Sequence, residues 1–218
     1  MSARKRVGVL ISGRGSNLQA LIDACQGADF PAEIATVISN RPGAYGLERA
    51  HGAGIAGVTI DHTQYKSRKS FDAALDAALR DAGVELVCSA GFMRLLTPGF
   101  VEAWRDRQLN IHPSLLPAFR GLHPHERALE MGVRLSGATV HIVRAEMDAG
   151  PIILQAAVPV LADDTPDSLA ARVLGAEHVI YPRALALIAA GQAWVDGETV
   201  RFASPELARP VFLPGSGA

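Results

Sequence analysis

The apolar positions of the chain follow two rhythms that alternate along it. Val7-Gly8-Val9-Leu10-Ile11 is a short apolar run that ends in Ser12-Gly13-Arg14-Gly15-Ser16-Asn17. An unbroken run of that length predicts a fully buried strand entering a tight glycine turn. Leu18-Gln19-Ala20-Leu21-Ile22 then takes up helical spacing, with Ser16 or Asn17 as the expected N-cap. The alternation recurs as a strand over 34–39, a short helix over 45–51, a weaker strand over 57–60, an amphipathic helix over 70–82 and a strand over 84–89. In the amphipathic helix Phe71, Ala74, Leu75, Ala78 and Leu79 share one face. Strands that alternate with helices predict a mainly parallel sheet covered on both faces.

After Gly91 the texture changes. A short helix is expected over 98–104 and a strand end over 109–112. Residues 113–124 hold three prolines and a glycine and read as an irregular loop. A helix over 125–131 leads to two β-rich runs, 136–143 and 152–160, separated by a loop over 144–151. Thr165-Pro166-Asp167 opens a long helix that runs to about Ala190, with proline in its first turn. Asp196-Gly197 sits between two short runs and predicts a hairpin over 194–202. The tail from Pro205 reads as loose. The expected fold is therefore α/β, a mainly parallel twisted sheet with helices on both faces and antiparallel elements in the C-terminal half. There is no internal repeat or low-complexity linker, so one domain with two functional halves is expected.

Composition narrows the classes. The 218 residues suffice for one good-sized core. Apolar residues make up 49% and charged residues 20%, which excludes a disordered chain. The formal net charge of -1 lacks the basic excess of a nucleic-acid-binding domain. Cys25 and Cys88 stand far apart, outside any zinc-type pair, and read as buried thiols in a reducing compartment. No apolar run approaches the ~20 residues of a membrane span. The apolar run behind the basic start is too short for a signal peptide, so a cytoplasmic protein is expected, without membrane or nucleic-acid partners.

Two constellations carry chemistry. The glycine turn leads into a helix N-terminus, where backbone N–H groups and the helix dipole favour an anion. The third glycine of a dinucleotide fingerprint would fall at Leu18, and no Gly-Lys-Ser/Thr follows, so a phosphate monoester suits the turn better than NAD or ATP. The second constellation is Leu109-Asn110-Ile111-His112-Pro113-Ser114-Leu115-Leu116-Pro117. Asn110 and His112 alternate along a strand and so point to one face at its end. An Asn amide donates to a developing oxyanion without changing charge, and a His serves as general acid or base near neutrality. Asp148, in the turn Glu146-Met147-Asp148-Ala149-Gly150-Pro151, is a carboxylate able to hold a protonated imidazole. His51 and His62 read as surface residues. His123 and His125 form a His-x-His pair without a third ligand at zinc-type spacing, so no metal is expected. His141 faces either the core or the site. Glu177 on the long helix reads by itself as an ordinary exposed carboxylate.

Four stretches together resemble the phosphoribosylglycinamide formyltransferases, folate-dependent enzymes of purine synthesis. They are residues 9–20, the segment Ala90-Gly91-Phe92-Met93-Arg94-Leu95-Leu96, residues 109–117, and Asp148-Ala149-Gly150-Pro151-Ile152-Ile153-Leu154-Gln155. The resemblance runs from about Val7 to Asp196. It implies a Rossmann-like formyltransferase fold with a phosphate-binding half, about 1–105, and a folate-binding and catalytic half, about 106–218. It implies Asn110, His112 and Asp148 as catalytic, and Gly15, Ser16 and Asn17 as holding the phosphate of glycinamide ribonucleotide, with Glu177 on its ribose. Arg68, Met93, Arg94, Leu95 and Leu96 would line the folate pocket, with Asn110, Arg144, Ala145, Glu146 and Met147 also meeting the folate. The co-substrate would be 10-formyltetrahydrofolate, with no metal, and the assembly a monomer or homodimer.

Arg14 departs from the family's usual Asn, and residues 117–124 vary the loop beyond the histidine. A related activity, hydrolysis of formyltetrahydrofolate by the same three residues, is the alternative. That hydrolase carries an extra regulatory domain ahead of the first strand, where this sequence has only a few residues. A non-catalytic nucleotide-binding module would have only the glycine turn and the α/β pattern behind it.

Overall fold

Burial decides which runs become strands. In a computed structural model, which describes residues 3–213, the chain divides into two compact units, Met1–Asn110 and Ile111–Ala218. In the first unit β1 (Lys5–Ile11) is solvent-facing over its first two residues and fully buried from Val7 on. It pairs in parallel with β2 (Ala32–Ser39) on one side and β4 (Leu86–Ser89) on the other. β3 (Gly57–Thr59) extends β2, and β5 (Gln108–His112) extends β4, both in parallel. The order is β5-β4-β1-β2-β3. This is the parallel sheet that the alternating rhythm predicts.

Helices α1 (Ser16–Cys25), α2 (Tyr45–Gly52), α3 (Arg68–Asp81) and α4 (Pro98–Ala103) fill the connections. α3 starts in a capping box between Ser67 and Ser70. Its buried stripe of Phe71, Leu75 and Leu79 packs with Leu10, Ile38, Val87, Phe100 and Trp104. Asp72 lies on the same side and is also buried, which the hydrophobic pattern does not show.

In the second unit β6 (Leu135–Ile142) and β7 (Ile152–Pro159) run antiparallel. α5 (Pro124–Glu130) precedes them and α6 (Pro166–Ala189) follows. α6 begins in a capping box between Thr165 and Ser168. Beside it Arg172 grips Asp164 with both Nη atoms, at 2.6 and 2.8 Å. These bonds hold the Asp164 carboxyl well below the usual carboxylate range. β8 (Ala193–Asp196) and β9 (Thr199–Phe202) form the expected hairpin.

Three expectations change. The cap of α1 is Gly15, in the left-handed region at φ 70°, one residue ahead of the Ser16 or Asn17 expected. The tail is not loose where it is described. Residues 205–208 form a 3-10 turn, and β10 (Val211–Phe212) adds to β7 in parallel, while 214–218 lie outside the described residues. His62 is half-buried rather than on the surface, edge-on to Phe71. Both cysteines are buried and neither forms a disulfide, and burial pushes the Cys25 thiol up to about 11.

Candidate active site

The glycine turn follows directly from the geometry of β1 and α1. Only a glycine tolerates the left-handed backbone at Gly15 together with its close approach to α2. A Cβ there would stand 2.8 Å from the Gly46 Cα. The Gly13 carbonyl accepts from the Gly46 N–H at 3.0 Å, and Gln19 N–H is the bond that starts the α1 ladder, on the Gly15 carbonyl. The first-turn amides ahead of that bond are the ones a helix leaves to other acceptors. The N-cap residue, a glycine, makes no side-chain bond to them. They open into a cleft of about 280 Å³ lined by Ser12–Asn17, Arg41, Ala90, Gly91 and Met93. Arg14 and Arg41 are exposed at its rim. Arg49 braces the turn from behind, donating to the Arg14 carbonyl at 2.9 Å. Arg41 was not singled out by the sequence. Its signal is its place just past the end of β2, the strand beside β1.

β5 places Asn110 and His112 on one face, Asn110 half-buried and His112 buried. His112 Nε2 lies 3.0 Å from the Phe119 carbonyl, which can only accept, so Nε2 carries a hydrogen. His112 Nδ1 faces Asp148 Oδ2 at 3.4 Å. Both ring nitrogens thus meet oxygen acceptors. The second half of the pair expected from residue types is therefore present: loop 144–151 brings Asp148 to His112.

Asp148 is tightly placed. Its backbone is left-handed, at φ 52°. Its Oδ2 accepts from the Gly121 N–H at 2.9 Å, which ties the aspartate loop to the histidine loop. His141 Nε2 stands 3.9 Å from Asp148 Oδ1. A register shift in β6 between Val140 and His141 falls at this point, and bulges of this kind re-aim side chains next to functional sites. His141 therefore faces the site rather than the core. Burial, the largest influence, lowers its pKa against the opposing Ile142 carbonyl and Asp148, which favours the neutral ring.

The loop after His112 is held by a polar knot that sequence reasoning missed. Thr139 Oγ1 donates to the Ser114 carbonyl at 2.7 Å and accepts from the Leu116 N–H at 3.0 Å. Gln155 Nε2 donates to the Leu116 carbonyl at 2.9 Å and to Thr139 Oγ1 at 3.0 Å. Its signal was a Thr and a Gln paired across β6 and β7.

The remaining candidates divide by exposure. Glu177 is buried, which removes the reading as an ordinary exposed carboxylate. Met93 and Leu95 are 62% and 58% exposed, and Met147 is 50% exposed. Large apolar side chains left open in loops suit a flat apolar ligand. Arg94 lies over the Phe71 ring, 4.8 Å from its centre, and Leu96 packs on the core. Arg68 is exposed at the start of α3. Arg144 pairs with Glu198 at 3.0 Å, while Ala145 and Glu146 are exposed, the latter on Arg120 at 2.7 Å. His123 is exposed and pairs with Glu126. His125 is half-buried, with its pKa lowered chiefly by burial. Among the described residues no group of three or more His, Cys, Asp or Glu is placed to hold a metal ion. No helix among them is long and apolar enough to cross a membrane.

Comparison with known proteins converges on one group. Residues 5–185 match the family model described as formyl transferase. The chain is 53% identical over 197 residues to the trifunctional purine biosynthetic protein adenosine-3 of Drosophila melanogaster, covering 89% of this chain and 15% of that protein. The chain thus spans less than a fifth of the length of these trifunctional relatives. It is 47% identical over 197 residues to the phosphoribosylglycinamide formyltransferase of Escherichia coli K12, covering 87% of this chain and 93% of that one. The solved glycinamide ribonucleotide transformylase 1 from Symbiobacterium toebii superposes with a TM-score of 0.91 at 51% identity, over 94% of this chain and 96% of the other.

Proposed function

The chain belongs to the formyl transferase family, and from that premise we propose that it moves the formyl group of 10-formyltetrahydrofolate to the primary amine of glycinamide ribonucleotide. The products are formylglycinamide ribonucleotide and tetrahydrofolate, a step of purine synthesis in the cytoplasm. The observation that carries this reading is the buried His112–Asp148 pair at the end of the strand that bears Asn110.

The chemistry follows from these groups. The neutral amine attacks the formyl carbon, and the carbonyl oxygen takes up negative charge. The Asn110 amide and the His112 Nε2–H donate to that oxygen. In the structure Nε2–H is given to the Phe119 carbonyl. Donation to the oxyanion exchanges this neutral acceptor for a charged one, which is the stronger bond. Asp148, against Nδ1, stabilises the imidazolium and takes part in moving a proton from the attacking amine to the leaving nitrogen of the folate. No covalent enzyme intermediate is needed. Holding the two reactants against each other supplies much of the remaining rate.

The glycine turn takes the phosphate of the ribonucleotide through Gly15, Ser16 and Asn17, with Arg14 and Arg41 adding positive charge at the rim. Glu177, buried on α6, takes the ribose hydroxyls. Met93 to Leu96 with Arg68, and separately residues 144–147, contact the folate.

The test is to compare glycinamide ribonucleotide with its dephosphorylated riboside as formyl acceptor. Loss of the charge-assisted bonds to the phosphate should lower kcat/KM by about 100-fold. Equal use of both acceptors would remove the phosphate role from the turn.

A further inference from the structure

The segment after β4 is held at both ends by side chains whose own place is fixed by the core. At its start the Met93 N–H donates to Ser12 Oγ at 2.8 Å. The Ser12 hydroxyl gives its own hydrogen to Asn40 Oδ1 at 2.6 Å. The Asn40 carbonyl in turn receives the His62 Nδ1–H at 2.8 Å, since a carbonyl can only accept. Ser12 and Asn40 are both buried, at the ends of β1 and β2. At the far end the Thr97 N–H donates to Asp72 Oδ2 at 2.6 Å. Asp72 is 3% exposed, and its other oxygen makes no hydrogen bond. The bond to Thr97 is thus the polar contact that offsets burying this carboxylate.

α3 adds two further contacts. Asp76, one turn beyond Asp72, accepts from the Trp104 indole N–H at 2.8 Å. The two aspartates so take hold of α4 at its N-cap residue, Thr97, and at its C-cap residue, Trp104. Phe71, beside Asp72, carries the Arg94 guanidinium over its ring. Between the two ties Met93 and Leu95 stay exposed while Leu96 packs inward. A loop that leaves two large apolar side chains in solvent gains little from its own packing, so its shape depends on its anchors.

We propose that Ser12 and Asp72 are positioning residues that clamp residues 93–96 in the shape that receives the folate. Neither touches the reacting atoms. The proposal rests on the placement of folate at 93–96 given above. Asp72 ties the segment to α3. Ser12 ties it to β1 at the residue that opens the glycine turn.

The experiment pairs hydrogen exchange with steady-state kinetics on the full-length enzyme carrying Asp72→Ala, Asp72→Asn or Ser12→Ala. In Asp72→Ala the Thr97 amide should exchange at least about tenfold faster, since its acceptor is gone. KM for the folate should rise about tenfold, the equivalent of one net hydrogen bond. KM for the ribonucleotide should stay within about twofold, because a distant site without shared partners adds little. Asp72→Asn keeps an acceptor oxygen and should recover most of the folate KM. If Asp72→Ala does not fold, Ser12→Ala tests the other end by exchange at the Met93 amide and by the folate KM, while the ribonucleotide KM is compared only in the Asp72 variants, because Ser12 lines the phosphate cleft. Unchanged exchange at these amides overturns the clamp. So does a parallel rise in both KM values of an Asp72 variant, or an Asn variant no better than Ala. Faster exchange with an unchanged folate KM overturns the positioning role and shows that folate lies elsewhere. Failure of the proposed reaction itself would appear differently, as a wild-type enzyme without folate-dependent formylation.

Discussion

His112→Ala is expected to lower formyl transfer by about 10²–10³, the typical loss when one oxyanion donor is removed. Asp148→Asn should fall into a similar range, about 10². The asparagine still offers an oxygen to the Gly121 N–H, so the tie between the two loops survives and thermal stability should stay close to wild type. What is lost is the negative charge 3.4 Å from His112 Nδ1. Residues that act as a unit give non-additive losses, so the double variant should be little worse than His112→Ala alone. A double variant whose loss equals the product of the two single losses would show that Asp148 and His112 act separately. Measuring kcat for the three variants decides this.

Gly150→Ala is expected to abolish activity nearly as completely, although residue 150 bears no chemistry. A Cβ there would stand 1.7 Å from the Ile142 carbonyl oxygen and 2.9 Å from its carbon. Those are backbone atoms of β6, and they cannot rotate away. The adjacent Ile142 N–H also donates to the Pro151 carbonyl at 2.8 Å, which fixes the two segments against each other. Loop 144–151 must therefore lift, and Asp148 lies two residues away with its left-handed backbone. A misplacement of about 1 Å at a catalytic group costs about 10² in rate. The expected result is a folded enzyme with kcat down by at least about 100-fold. Activity within tenfold of wild type would mean that Asp148 need not be held where the structure holds it.

Much of this site was legible from residue types and periods, and the physical reason separates what was from what was not. Asn110 and His112 sit two apart on a strand, and the strand period alone puts them on one face. The glycine turn is local too, and its reading survives with the cap moved to Gly15. Pairings through loops are another matter. Asp148 reaches His112 because the loop turns at a left-handed residue and is tied by Gly121, and neither fact has a periodic signature. His141 was ambiguous because its direction depends on a register shift between β6 and β7. Glu177 looked exposed because a lone carboxylate on a long helix usually is, and only tertiary packing buries it. Asp72 was hidden in the same way, within a stripe whose other members are apolar. Arg41 was missed because its neighbour in space, the glycine turn, is far from it in sequence. The tail carries no strand signal because a two-residue strand is below what any sequence pattern can announce.

The central claim is that the three residues serve transfer to an amine rather than to water. Release of tetrahydrofolate from 10-formyltetrahydrofolate, followed with and without glycinamide ribonucleotide, tests it most directly. Release that requires the ribonucleotide, with one formylated product formed per folate released, is the result predicted. Release at the same rate without the ribonucleotide would contradict it, and would assign Asn110, His112 and Asp148 to hydrolysis instead.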